Sequence, residues 1–449
     1  MPEHRSDGQQ NGRNGRQLTA ASRQRRWRDS ASLELPAIAA ETSAITSALA
    51  IQDSRSLRSA TCQTRASSGG FAGARPPALY SPDALPQEAP MKFGVLFTSH
   101  PDHKTEPHPH RAVHARVTRE VMLCDRLGYD HCWIAEHHFS NQYGILPDPF
   151  AYLAYLAAKT RRIQLGAAVM ILPLHNPLRV AENAAFIDIL SNGRMQLGLG
   201  SGYRPYEFEG LGIDFEARLD IQEEGIGILL DAFHKHRVRH DGRFFKHHMR
   251  PEDEIFPYPV QMPHPPIYLG AGTERSIAQA AKRGFGLMLS TLGDFQTVAG
   301  QIAIYRRHMK EAPAPLNQNT AFGHVDVARW VYVAKTDAQA KADSAEGLIR
   351  HISHFAGTGT AGYLGRVSEK GGDALDYDKL SEATILHGSP DTVIQKIQML
   401  KRVTGATSVL LHYPPYYGND KAQASLRLFA REVMPVLHGE ERPLVAAAE

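Results

Sequence analysis

Beyond residue 90 the chain alternates between short apolar runs and longer runs with an apolar residue every three or four positions. KFGVLF (92–97) has the length and composition of a buried strand. Residues 112–130 follow, with Val113, Val117, Val121 and Leu127 near helical spacing and Gly128 as a stop. HCWIAE (131–136) predicts a second strand. A second helix is expected over 148–160, capped by Asp148 with Pro149 in its first turn. RIQLGAAVM (162–170) and RMQLGLG (194–200) predict strands, with helices over 177–193 and 214–233. After a break, PPIYLG (265–270), FGLMLS (285–290) and VARWVYVA (327–334) each precede a helical run, at 273–284, 294–309 and 337–352. A helix over 389–403 precedes TSVLLHY (407–413), and a closing helix is expected over 425–437.

Short apolar strands separated by helices, covered on both faces, belong in a parallel sheet. Eight such units favour a closed (β/α)8 barrel. An open doubly wound sheet is the competitor, but no glycine-rich dinucleotide fingerprint follows the first strand. Residues 239–264 and 354–387 read as insertions, which commonly cover the active face.

The 449 residues are 42% hydrophobic, enough for one large core, yet no run is long and apolar enough to cross a membrane. The net charge of +3 is too small to imply nucleic acid. Residues 1–90 hold eleven Arg, no Lys and eight acids, hence +3, so residues 91–449 are neutral. That opening stretch cannot bury enough apolar surface to offset its ordering entropy. It is expected to be a disordered extension, with a short helix over 43–51 and a Pro-studded linker over 74–90. A targeting arm and a natural start at Met91 are the other readings. The barrel domain is expected over 91–440. Cys62, Cys124 and Cys132 have no disulfide or metal-ligand spacing, which suits a reducing, cytoplasmic setting.

Chemistry in such a barrel collects at the C-terminal strand ends. Glu136, His137 and His138 follow the second strand, in WIAEHHFSNQYGILPDP. A histidine there can move a proton or donate a hydrogen bond, and a carboxylate can fix its tautomer. Ser201, Tyr203 and Arg204 follow the fourth strand. Gly270, Ala271, Gly272 and Thr273 follow the fifth, where free amides at a helix start suit a phosphate. A metal hydrolase is a competing reading, but His108 and His110 lie well beyond the first strand.

Four stretches, MKFGVLFTSH, WIAEHHFSNQYGILPDPF, LGAAVMILPLHNPLRVAENAAFIDILSNGRMQLGLGSGYRPYEFEGLGID and LGAGTERSIAQAAKRGFGLMLS, together resemble the bacterial luciferase-like, flavin-dependent monooxygenase family over residues 91–437. The resemblance implies a (β/α)8 barrel. It also implies an enzyme that uses reduced FMN and oxygen, through a flavin C4a-hydroperoxide, to oxidise a small organic substrate. His137 matches the histidine beside the reactive flavin edge, with Glu136 and His138 supporting it. Ala168 and Val169 match the place of a non-prolyl cis peptide. Ser201 stands where many relatives carry a phosphate-binding Arg, leaving Arg204 or Arg218 to supply that charge. A separate flavin reductase and a homodimer are further expectations. Relatives that use deazaflavin F420 as hydride carrier, and a non-catalytic flavin-binding protein, remain as alternatives.

Overall fold

A computed structural model describes residues 90–439, apart from 142, 314–315, 317–318 and 358–375. The expected extension before residue 90 and the centre of the second insertion lie outside the described residues. The strands are β1 (Lys92–Phe97), β2 (His131–Ile134), β3 (Gln164–Ile171), β4 (Met195–Gly200), β5 (Arg239–Asp241), β6 (Lys246–His248), β7 (Ile267–Gly270), β8 (Gly286–Leu289), β9 (Val325–Val333), β10 (Leu386–Gly388) and β11 (Ser408–His412). Eight of them close a parallel ring: β1 through β4, then β7, β8, β9 and β11, with β11 pairing back onto β1. These eight are the strands the apolar runs predict.

The helices are α1 (Pro109–Leu127), α2 (Pro149–Lys159), α3 (Pro177–Ser191), α4 (Pro205–Leu211), α5 (Arg218–Lys235), α6 (Glu274–Lys282), α7 (Phe295–Met309), α8 (Asp337–Gly357), α9 (Tyr377–Ala383), α10 (Pro390–Thr404), α11 (Asn419–Leu428) and α12 (Met434–Leu437). The closing helix begins earlier than expected and is interrupted by a π-helical turn, Phe429–Val433.

Side chains alternate between two layers, as the strand period of two requires. Cys132 and Ile134, Ile267 and Leu269, and Val409 and Leu411 join the large core outside the ring. Trp133, Tyr268 and Leu410, between them, pack inside it with Met288 and Ala328. Burying each of these large side chains stabilises the fold by about 1.5–3 kcal/mol. Gly166 makes room for the indole, since a Cβ there would lie 2.0 Å from the Trp133 ring.

The first insertion holds the β5–β6 hairpin, unseen in the sequence pattern, and its tip reaches the first turn of α5, where Arg243 pairs with Asp220. It lies along α5, where the Glu224 carboxylate accepts from His240 and from the amides of Phe244 and Phe245. The return segment docks beside the start of β4, where Gln261 donates to Asp188 and to the Met195 carbonyl. The second insertion is entered through α8, whose His351 packs near His100, Tyr143 and His412 at the C-terminal strand ends. At the start of the insertion itself, His354 hydrogen-bonds the Tyr416 hydroxyl beyond β11.

Candidate active site

β2 ends at Ile134, two residues before the sequence pattern suggested, and the chain leaves the ladder as it reaches Glu136. The Ala135 amide still donates to the Phe97 carbonyl, and the His137 amide donates to the Leu146 carbonyl. The second contact folds residues 144–146 back over His137. Gly144 permits this approach, because a Cβ there would lie 2.5 Å from His137 Cδ2.

Glu136 is 2% exposed and its carboxylate accepts three hydrogen bonds. They come from His138 Nε2 at 2.8 Å, His175 Nε2 at 2.7 Å and the Ile171 amide at 2.8 Å. Burial pushes this carboxyl upward, but the donors outweigh it and hold the pKa below the ordinary value. Glu136 thus ties the end of β2 to the end of β3 and to the turn after it. The bond from Glu136 raises the His138 pKa in return.

His137 faces a different carboxylate. Its Nδ1 donates to Glu207 Oε1 at 3.1 Å, and the same oxygen accepts from the His138 amide at 3.0 Å. The carboxylate can only accept, so the ring proton sits on Nδ1 and Nε2 is left basic. Burial lowers the His137 pKa by more than Glu207 raises it, so the ring is neutral near pH 7. The ring of Tyr143 meets it edge-on at 4.8 Å.

Glu207 and His175 were missed in the sequence. Glu207 rides on α4, a helix of seven residues, too short to show a period. Its signals were Pro205 in the first turn and Gly212 as a left-handed stop. His175 follows a 3-10 turn after β3, and only the fold brings it to Glu136.

The Ala168–Val169 peptide is cis, at the position the resemblance implies. The β3–β4 register shifts there, so both residues leave the ladder between Ala167 and Met170. Val169 fills a notch formed by two glycines: a Cβ on Gly200 would lie 2.3 Å from Val169 Cγ2, and one on Gly270 2.9 Å from Cγ1. The ends of β3, β4 and β7 are thereby drawn together. Ser201 and Tyr203 are half-buried beyond β4.

Gly270 and Ala271 are half-buried, and Gly272 and Thr273 exposed. Thr273 caps α6, exchanging hydrogen bonds with Ser276. A cleft brings this turn beside the start of α5, with Leu219 and Glu223 facing Thr273, Arg275 and Ser276. Arg218, one residue before Leu219, stacks 3.9 Å over the Phe215 ring and donates to the Phe215 carbonyl. Arg204 is elsewhere. It is fully buried in the wall beside His137, 4.3 Å over the Tyr143 ring, and donates to the Tyr206 hydroxyl at 2.8 Å. The Arg204 guanidinium is thus held within that wall, while Arg218 adjoins the cleft through Leu219.

Among the described residues no group of three or more His, Cys, Asp or Glu is arranged to hold a metal ion, and no helix is long and apolar enough to cross a membrane. The chain is 31% identical to the uncharacterised protein y4vJ of Sinorhizobium fredii, over 49% of this chain and 61% of that one. It is 29% identical to the oxygenase component of the flavin-dependent trigonelline monooxygenase of Acinetobacter baylyi, over 45% and 55%. The chain thus spans little more than half the length of these curated relatives. The oxygenating constituent of 3,6-diketocamphane monooxygenase from Pseudomonas putida, solved with FMN, shares the fold with a TM-score of 0.64 and 22% identity, over 77% of this chain and 98% of that one. The family described as luciferase-like monooxygenase matches residues 91–408, well over half the sequence. The chain belongs to the luciferase-like monooxygenase family.

Proposed function

We propose that the chain is a monooxygenase that uses reduced FMN and molecular oxygen to place one oxygen atom on a small organic substrate. The observation that carries this reading is the neutral His137 ring, fixed by Glu207 at the end of β2, next to the strand that bears Val169 in its glycine notch. The residues fit a flavin. The Val169 notch offers a tight apolar seat, and Gly272 has open space where a Cβ would stand. The turn at residues 270–273 and the α6 amides would hold the phosphate, with Arg218 adding charge. Reduced FMN, when bound, supplies two electrons and the position at which oxygen is activated.

The protein's own part is positional and protic. Glu207 holds the Nδ1 proton of His137, which leaves Nε2 to accept a proton or, once protonated, to return one. Glu136 locks His138 and His175 behind it. Tyr143 and Arg204 close one wall against water, which strengthens every hydrogen bond inside. The same reading includes a separate flavin reductase as electron source, a homodimer and a cytoplasmic setting.

The deciding experiment is an anaerobic titration with oxidised FMN, reduced FMN and F420, followed by admission of labelled oxygen with a panel of ketones, aldehydes and aromatic heterocycles. Selective binding of reduced FMN and one labelled atom in a product are expected. Preference for F420 without label incorporation points to the hydride-transfer alternative. Flavin binding without turnover on any substrate points to a binding protein. Arg218→Met should weaken FMN by about 1.5–3 kcal/mol, the scale of hydrogen bonds to charged groups, and leave riboflavin binding nearly unchanged. Equal losses for the two ligands would remove Arg218 from the phosphate.

A further inference from the structure

At the N-terminal end of the barrel, opposite His137, lies a cavity of about 310 Å³. That volume is at the low end of the range for small-molecule sites. The interior positions of the strands are polar here: His131 on β2, Gln196 on β4, Asp326 on β9 and Ser408 on β11. Gly94 makes space for the imidazole, since a Cβ there would lie 2.5 Å from His131 Cδ2.

The donors in this layer run in one direction. The Trp133 indole N–H can only donate, and it does so to His131 Nδ1 at 3.2 Å. The His131 proton is therefore on Nε2, which donates to Ser408 Oγ at 3.1 Å. The Ser408 hydroxyl is left to donate to Asp326, its hydrogen-bonded partner. The chain ends on that carboxylate. Asp326 Oδ2 has no partner although the residue is 1% exposed, and Gln196 Oε1 is also buried without one. Both residues line the cavity. Two unmet acceptors call for a guest that brings N–H donors.

The charges facing Asp326 narrow the class. Burial holds the His131 pKa down to about 3 and that of His324 to about 4, so both rings are neutral. Lys92 and Arg162 are exposed, and Arg162 donates to the Asp125 carbonyl. Asp130 beside them accepts the Phe93 amide. Tyr268 supplies an aromatic wall, its ring packed edge-on against Trp133. Lys92 favours the ionised Asp326 from a distance and Asp130 opposes it, but neither gives Oδ2 a hydrogen bond, so deep in the cavity that atom still lacks a donor.

We infer that this cavity binds a short-chain primary ammonium, whose N–H groups meet Asp326 Oδ2 and Gln196 Oε1 while its alkyl chain lies along Tyr268. The site does not depend on flavin chemistry, because it occupies the other end of the barrel. Burial pushes the Asp326 carboxyl up to about 7. An ammonium guest favours the ionised form, so its affinity rises as pH passes from 6 to 8.

The test is calorimetric titration and thermal unfolding of the full chain with propylammonium, tetramethylammonium and propanamide, at pH 6 and pH 8. Saturable propylammonium binding is expected, tighter at pH 8 and weakened about tenfold or more by Asp326→Asn, because charged hydrogen bonds are the stronger kind. Gln196→Leu supplies an independent variant and should also weaken it. FMN binding should not change in either variant. The inference is overturned if propylammonium fails to saturate, if tetramethylammonium or propanamide binds as well, or if both variants bind propylammonium like the parent.

Discussion

Glu136 at the upper mouth of the barrel and Asp326 at the lower are both nearly out of water, 2% and 1% exposed. Burial pushes both carboxyls upward. Glu136 nevertheless falls below its ordinary value, because two histidine rings and an amide donate to it. Asp326, hydrogen-bonded to the Ser408 hydroxyl and with Oδ2 unmatched, is pushed up to about 7. Donor supply, rather than depth, decides which carboxyl stays ionised. At the upper end Glu136 is an ionised carboxylate with its donors supplied, beside a neutral His137. The lower end holds a carboxyl whose charge depends on pH and on what enters.

The largest effect expected from this contrast is at Glu136. Glu136→Ala leaves three donors facing an empty site and should cost about 3–5 kcal/mol, the range for breaking a buried charged pair. Denaturant unfolding measures it. A carboxyl depressed in the fold stabilises above its unfolded pKa of 4.5, and that stability is lost as pH falls through the lower folded value. The gap between parent and variant should therefore narrow in acid. A gap constant from pH 7 down to pH 3 would mean that the network does not hold an ionised carboxylate.

His137→Ala comes next and should act on rate. A positioned proton-transfer group contributes roughly a hundredfold or more, so turnover on any substrate found by the oxygen-label experiment should fall by roughly 10²–10³-fold. Melting should change far less than in Glu136→Ala. Since burial depresses the His137 pKa, any acid limb it contributes to the rate should lie below pH 6.5. Normal turnover with a collapsed melting temperature would make His137 a packing residue.

The ring of eight strands was legible because each strand is an apolar run bounded by a helix with clear stops. The histidine pair and Glu136 were legible because three ionisable residues in a row interrupt such a run. Their partners were not. Glu207 lies 70 positions beyond His137 on a helix without a period, and His175 sits on a turn. Arg204 was expected to stand in for the Arg missing at Ser201; its packing against Tyr143, which arrives from the loop after β2, could not be read from the sequence. The lower polar layer was invisible for a similar reason. His131, Gln196, Asp326 and Ser408 each stand alone in an apolar strand, and only closure of the ring through β9, β11 and β1 brings them together.

The smallest effect expected is at Asp326, and its sign is opposite to that at Glu136. A carboxyl whose folded pKa is raised from 3.8 to about 7 binds its proton more tightly in the fold than in the unfolded chain. Stability is therefore full below pH 3.8, declines between about 4 and 7, and is flat above. Asp326→Asn removes the ionisation while keeping an oxygen for Ser408. It should be close to neutral at pH 4 and stabilising by about 1–3 kcal/mol at pH 8, a fraction of the full linkage because Asn brings an amide with its own hydrogen-bonding needs. Urea unfolding of the two proteins at pH 4, 6 and 8 measures the difference. Propylammonium should shrink it at pH 8 by stabilising only the parent. If Asp326→Asn destabilises more at pH 8 than at pH 4, the carboxylate is already matched, and the contrast between the two ends of the barrel fails.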